Sequence, residues 1–382
     1  MGCCPSCRNP VGQHDTQGDV EPEIIEFTII KFKSNGIVLP TATLRPETIF
    51  GVTNLWVNPD GDYVKAKVGG EVWIISEEAA RKLPHLNFEV EVLERMPGRA
   101  LIGLRAENPL TGGKAIVLPA SFVDTDNGTG LVMSVPAHAP FDYAALGEVK
   151  GIAEELKRAY GIDPGDVLSL APIPLIECDG YSEVPAEDIV KRMGIRGQGD
   201  PNLKRATEVL YSDEFHRGRT RPDLGEYGGL SVKEARERVK GDLLKSGKGH
   251  LMCEIANKPV FCRCGAKCIV KILSDQWFID YGNASWKDLA KECLSRMSIL
   301  PEDLRREFEY TIDWLKERAC ARQSGLGTKL PWDESWIIES LSDSVIYMAY
   351  YTIVRQIKEY GIDPSKLGEE VFEYVFLGRG DA

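Results

Sequence analysis

The sequence predicts an α/β protein: a barrel-like, β-rich domain with peripheral helices, a small cysteine-bearing neck, and an α-rich segment towards the C-terminus. Three observations carry this. Short runs of β-branched and aromatic residues, parted by turn residues, fill the stretch from Glu23 to about Pro136. Amphipathic helical patterns dominate residues 150–250. A further shift comes near Pro259, after which Trp-rich loops alternate with long helical runs.

Within this frame each element has a local reason. Residues 1–20 are polar, with Gly, Pro, Asn and Asp and no periodicity, and read as a loop-rich knuckle. Ile24, Phe27, Ile29 and Phe32 mark a strand. Tyr63 to Val68, then Gly69-Gly70, then Glu71 to Ile75 is a hairpin signal. Phe88 to Leu93 alternates as a half-buried strand does, and Ser76 is placed to cap a short helix from Glu77 to Leu83. Ile152 to Tyr160 is amphipathic. Ser231-Val232-Lys233-Glu234 is a capping box, followed by Ala235, Val239 and Leu243 on one face, with Gly247 ending the helix. Further helices are expected from Ser285, from Glu302 to Arg322 and from Glu339 to Tyr360.

A chain of 382 residues should form two bodies and a small third lobe. Its 43% apolar content suffices for packed cores. No run reaches the length of a membrane span, and no signal-peptide pattern opens the chain. Met1-Gly2-Cys3-Cys4 enters a cysteine motif at once, which reads as a segment of a longer protein. The net charge of −12 speaks against bulk nucleic-acid binding. Locally, Ile189 to Gly249 holds 14 Lys and Arg against nine Asp and Glu, a segment able to meet phosphates. From charge alone, a solvated helical surface is the stronger reading. Six of the ten cysteines fall in two short runs, the pattern of intracellular thiols with a metal site rather than of secreted disulfides.

Three constellations carry chemistry. In the first, Thr41, Thr43, Arg45, Glu47 and Thr48 crowd beside an apolar strand that Pro46 must end. Hydroxyls and a guanidinium there suit an ester, a ribose or a phosphate, and a polar turn closing a hairpin is equally open. In the second, the Asn127-Gly128 turn and an apolar strand through Met133 and Val135 lead into a Pro-rich loop bearing His138 and Asp142. A lone His or Asp in such a loop is more often structural. Gly128-Thr129-Gly130 lacks the glycine spacing and lysine of a phosphate loop. The third pairs Cys4 and Cys7, at knuckle spacing, with Cys262 and Cys264. A structural zinc ion is favoured over metal-free thiols, with Cys3, His14 and Cys268 as alternate ligands. Four protein ligands leave no open position, so no catalytic metal is expected.

Taken together, "TLRPET" (residues 43–48) and "GTGLVMSVPAHAPFDY" (residues 128–143) resemble the two halves of the editing pocket in the class I synthetases for leucine, valine and isoleucine. "ATLRPETIFGVTNLWVNP" and "VMSVPAHAPFDY" are most similar to archaeal and eukaryotic leucyl enzymes; valyl enzymes tend to carry an "HDPNDY"-like stretch in place of His138 to Tyr143. "SDQWFIDYGNASWK", "ARQSGLGTKLPW" and "ESLSDSVIYMAYY" resemble the leucyl catalytic domain after the insertion. The resemblance covers nearly the whole chain.

The resemblance implies a domain layout: a zinc-knuckle neck from residues 1–20 and 258–273, an editing domain over 21–257, and a truncated class I catalytic segment over 274–382. It implies a cytoplasmic hydrolase that deacylates mischarged leucine tRNA at its terminal adenosine, alongside the rest of the synthetase. Asp142 matches the carboxylate that grips the substrate ammonium. Thr43, Arg45 and Thr48 match the threonine-rich wall, with Thr48 at the leucine-rejecting position. Met133 and Val135 match the side-chain pocket, and Thr41, Glu47 and His138 complete the expected substrate contacts. No general base stands out, because His138 and Glu47 have no evident partner; positioning of water and donors to the oxyanion would then carry the reaction. Editing answers an energetic limit, since one methylene is worth only about 1–3 kcal/mol of discrimination. The "HIGH" and "KMSKS" motifs are not in this sequence, so aminoacylation is not expected of it. Two other readings stay open: valyl-type editing, and a catalytically silent RNA-docking module, against which Thr43, Thr48 and Asp142 argue.

Overall fold

The computed structural model describes every residue of the chain except Lys258, Asp275, Ser324, Asp381 and Ala382. Lys258 in the expected neck, and Asp275 and Ser324 in two of the leucyl-like segments, therefore lie outside the described residues. The chain forms two compact units, one of Met1–Gly2 and Val11–Ile272, the other of Cys3–Pro10 and Leu273–Ala382.

The first unit is an α/β body. Strand β1 (Gly2–Cys3) spans the sequence boundary of the two units, and the other strands of the first are β2 (Ile24–Ser34), β3 (Ile37–Thr43), β4 (Asn54–Val57), β5 (Asp62–Val68), β6 (Glu71–Ser76), β7 (Val90–Pro97), β8 (Arg105–Glu107), β9 (Lys114–Pro119), β10 (Leu131–Ser134), β11 (Ile176–Glu177), β12 (Arg219–Thr220), β13 (Gly249–Ile255) and β14 (Ile269–Val270). Its helices are α1 (Glu77–Lys82), α2 (Pro140–Gly151), α3 (Ala153–Tyr160), α4 (Pro164–Leu168), α5 (Pro185–Arg192), α6 (Leu203–Arg217) and α7 (Val232–Lys245).

Ten strands form one sheet in the order β10-β4-β9-β8-β2-β3-β6-β5-β7, with β13 also on β2. The pairs β3–β6 and β4–β9 are parallel and the others antiparallel, so the sheet is mixed. The barrel-like expectation is corrected here: the path ends at β10 and β7, which do not pair with each other. Alternation and turn residues count strands, but closure depends on long-range pairing of the two edges. Residues Phe27 to Phe32 of β2 are buried without alternation, as in a strand covered on both faces. Lys31 is tolerated there because Glu71 meets its ammonium at 2.8 Å.

Local signals behave as their chemistry dictates. Val68 pairs with Glu71 across Gly69-Gly70, both glycines at positive φ, which fits the twist of a two-residue hairpin. The Ser76 hydroxyl accepts from the Ala79 N–H and starts α1, which passes into a 3-10 turn at Leu83. In α7 the Ser231/Glu234 capping box is formed, with Val232, Ala235, Val239 and Leu243 buried. The alternation at Phe88 to Leu93 is misleading: β7 begins at Val90 and lies on the sheet edge, leaving Val92 and Leu93 exposed.

The second unit holds α8 (Ala284–Ser295), α9 (Leu304–Trp314), α10 (Ser340–Tyr360) and α11 (Glu369–Leu377). Asn283, not Ser285, caps α8, its side chain accepting from the Trp286 N–H. The long helix expected from Glu302 to Arg322 stops at Trp314, because Glu317–Ala319 and Ala321–Arg322 pair as strands with Phe278–Asp280 and Asp333–Ile338. Among the described residues no helix is long and apolar enough to cross a membrane.

Candidate active site

The threonine-rich turn folds around Arg45. Pro46 ends β3 and starts a 3-10 helix over Pro46–Gly51. The Thr43 hydroxyl accepts from the Arg45 N–H at 2.9 Å, and the Thr48 hydroxyl donates to the Arg45 carbonyl at 2.8 Å. Two threonines thus clamp one backbone unit and send the guanidinium inward. There Nε donates to Glu47 Oε1 at 3.1 Å, Nη1 to the His138 carbonyl at 3.2 Å and Nη2 to Glu214 Oε2 at 2.6 Å. The guanidinium also lies over the Tyr211 ring, 4.5 Å from its centroid. Burial alone would lower the Arg45 pKa, but Glu214 and Glu47 outweigh it and raise it.

His138 is fully buried with both ring nitrogens committed. Nε2 accepts from the Leu175 N–H at 2.8 Å, so the proton belongs on Nδ1, which donates to Glu214 Oε1 at 2.7 Å. A nitrogen occupied by a backbone N–H cannot take a proton from water, so His138 is a structural strut rather than a general base. Burial pushes the Glu214 carboxyl up, yet Arg45 and His138 overcome it and hold it below the usual range. Glu47 is also enclosed, with Arg236 Nε 3.6 Å from its second oxygen.

Asp142 has a different environment. It sits in the first turn of α2; Oδ1 accepts from Trp56 Nε1 at 3.0 Å and Oδ2 from the Val135 N–H at 2.7 Å. Burial dominates these two bonds and pushes its pKa up to about 7.

These residues meet at a cavity of about 330 Å³. Thr43, Arg45, Thr48, Met133, Val135, His138 and Asp142 all line it, so the two sequence constellations converge. Thr41 and Glu47 do not: Thr41 is buried within β3 opposite Ile30, and Glu47 stands behind Arg45. The wall also contains Tyr211 and the aromatic residues Phe27, Phe122 and Phe141, which sequence reasoning missed, as it missed Glu214 behind them. A signal for Glu214 existed: Leu203, Ala206, Leu210 and Glu214 form the buried stripe of α6, and a carboxylate on an apolar stripe demands a partner.

Away from this cavity, the ligand atoms of Cys4, Cys7, Cys262 and Cys264 all lie within 4.8 Å of one another. The Cys7 N–H points at Cys4 Sγ, 3.3 Å away. Two thiolates on one zinc ion stand ~3.8 Å apart, given Zn–S bonds of ~2.3 Å and tetrahedral angles, so the four fit a metal. Cys3, His14 and Cys268 are not in the group.

The raised pKa of Asp142 has a thermodynamic sign. Its stabilising contribution is full below the unfolded-state value of about 4 and is lost as pH rises through about 7. Between pH 5.5 and 8.5 the wild type should lose roughly 2 kcal/mol relative to Asp142→Asn, which cannot ionise. Paired thermal melts should therefore show the difference moving in favour of the variant as pH rises. A difference that stays constant across this range would contradict the assignment.

Residues 25–150 match the family described as "Leucyl-tRNA synthetase, editing domain". The chain is 48% identical, over its whole length, to leucine--tRNA ligase 2 of Saccharolobus solfataricus. It is 46% identical, over 99% of its length, to the leucine--tRNA ligase of Methanococcus maripaludis strain C5. It spans 40% of the length of each. The editing domain of the P. knowlesi cytosolic leucyl-tRNA synthetase shares the fold at a TM-score of 0.57 and 20% identity, covering 62% of this chain and 98% of that one. Residues 25–150 thus match the leucyl-tRNA synthetase editing domain, and the chain along its length is similar to part of the archaeal leucine--tRNA ligases.

Proposed function

We propose that this chain is a post-transfer editing hydrolase, cleaving the ester that joins a wrong amino acid to the terminal adenosine of leucine tRNA. The observation that carries the reading is the convergence of Thr43, Thr48 and Asp142 on one cavity. Among the described residues Asp142 has hydrogen-bond donors but no cationic side chain on its oxygens, so a substrate ammonium would supply a matching charge. With Asp142 assigned to the substrate ammonium, the proposed reaction uses no side chain as general base, and an activated ester needs only a positioned water and donors to the developing oxyanion. Relatives named as leucine ligases favour leucyl over valyl specificity. On this reading residues 21–257 are the editing domain, 274–382 are part of the catalytic domain of a cytoplasmic synthetase, and residues 1–20 and 258–273 form a zinc neck.

Thr48 is the proposed sieve. Its β-branched side chain is stiff at χ1, and its hydroxyl is held by the Arg45 carbonyl. Deacylation of isoleucine-charged and leucine-charged leucine tRNA, measured side by side, tests both function and sieve. The wild type should hydrolyse the first and spare the second. Thr48→Ala should hydrolyse both, and Asp142→Ala neither. A Thr48→Ala variant that still spares correctly charged tRNA would move the discriminating wall elsewhere, and a fully active Asp142→Ala would remove that carboxylate from substrate binding.

We assign a structural zinc ion to Cys4, Cys7, Cys262 and Cys264. Elemental analysis should find about one zinc per chain, and chelation should lower the melting temperature. Chelation that releases no metal and leaves the melt unchanged would refute the assignment.

A further inference from the structure

Hydrolysis of an ester gathers negative charge on the carbonyl oxygen, so a side chain with a free proton near the bound ester is worth identifying. Most polar side chains lining the cavity are already engaged. The Thr48 hydroxyl donates to the Arg45 carbonyl, and His138 uses both nitrogens. Arg45 directs Nε, Nη1 and Nη2 to protein acceptors, and Asp142 receives protein donors on both oxygens. Two hydroxyl protons remain without an acceptor among the described residues, those of Thr43 and Tyr211. Thr43 already belongs to the expected machinery, whereas nothing has given Tyr211 a role.

Tyr211 is well held for one. It lies on α6 three residues before Glu214, so the two share a helix face. Its ring is fixed against the Arg45 guanidinium at 4.5 Å, while its hydroxyl makes no hydrogen bond to the described residues. Tyr211 is half-buried in the cavity wall.

We propose that Tyr211 is a catalytic residue whose phenolic hydroxyl donates a hydrogen bond to the carbonyl oxygen of the bound ester. The proton stays on Tyr211 throughout. Water adds its oxygen to the acyl carbon, the bond from that carbon to the ribose oxygen breaks, and a proton from water ends on the ribose hydroxyl. Burial, with Asp142 and Glu214 adding to it against Arg45, pushes the Tyr211 pKa up to about 12, so the phenol remains a donor at neutral pH. This inference rests on the editing reading above.

Tyr211→Phe in the full 382-residue chain is the test, since it keeps the ring over Arg45 and deletes only the hydroxyl. With isoleucine-charged leucine tRNA, kcat should fall about 10²-fold, as for loss of one oxyanion donor, with KM changed less than threefold and the melting temperature unchanged. A kcat within twofold of wild type, or a loss of kcat that follows a lowered melting temperature, would overturn the assignment. A wild-type chain that hydrolyses no mischarged tRNA would instead overturn the editing reading itself, and this inference with it.

Discussion

Glu214 receives two donors at once, Arg45 Nη2 at 2.6 Å and His138 Nδ1 at 2.7 Å. Only an ionised carboxylate serves both, because each neighbour presents an N–H; a glutamine would turn its own amide protons on one of them. Through this one side chain α6 is tied to the turn after β3 and to the loop between β10 and α2. Those segments carry Thr48 and Val135, and they adjoin Thr43 at the end of β3 and Asp142 in the first turn of α2. The cavity wall is therefore set by a contact made behind it, and its shape depends on a helix far away in sequence.

The same contact belongs to a buried chain of alternating charge. Glu214, Arg45, Glu47 and Arg236 follow one another, with Arg236 half-buried at the outer end. Buried ion pairs add little net stability, but removing one member leaves an uncompensated charge, at a cost of roughly 3–5 kcal/mol. Such a network fixes geometry more than it stabilises. Asp142 is the contrast within the same cavity. Among the described residues its oxygens accept from the neutral Trp56 Nε1–H and Val135 N–H, and burial raises its pKa despite them.

What was legible in the sequence follows from range. The Gly69-Gly70 hairpin, the Ser76 cap and the Ser231/Glu234 box are decided within a few residues, and they form as read. The two cavity segments were recognisable because each is a compact string of unusual residues. The partner of His138 and the second partner of Glu47 were not, since Glu214 lies 76 residues beyond His138 and Arg236 far beyond Glu47, whose first partner Arg45 is two residues away. Openness of the sheet was hidden for the same reason, as strand count does not reveal edge pairing. The segment after Trp314 misled because its residues suit a helix locally, while ladders to Phe278–Asp280 and Asp333–Ile338 claim them as strands.

The proton arrangement around Glu214 is the most direct test of this account. Long-range proton–nitrogen correlation of the His138 imidazole in the wild-type chain at pH 8 reports which nitrogen carries hydrogen. Nδ1 should be protonated towards Glu214 and Nε2 bare, accepting from the Leu175 N–H. A protonated Nε2 with a bare Nδ1 would contradict it, because Glu214 would then have lost one of the two donors that hold the cavity wall in place.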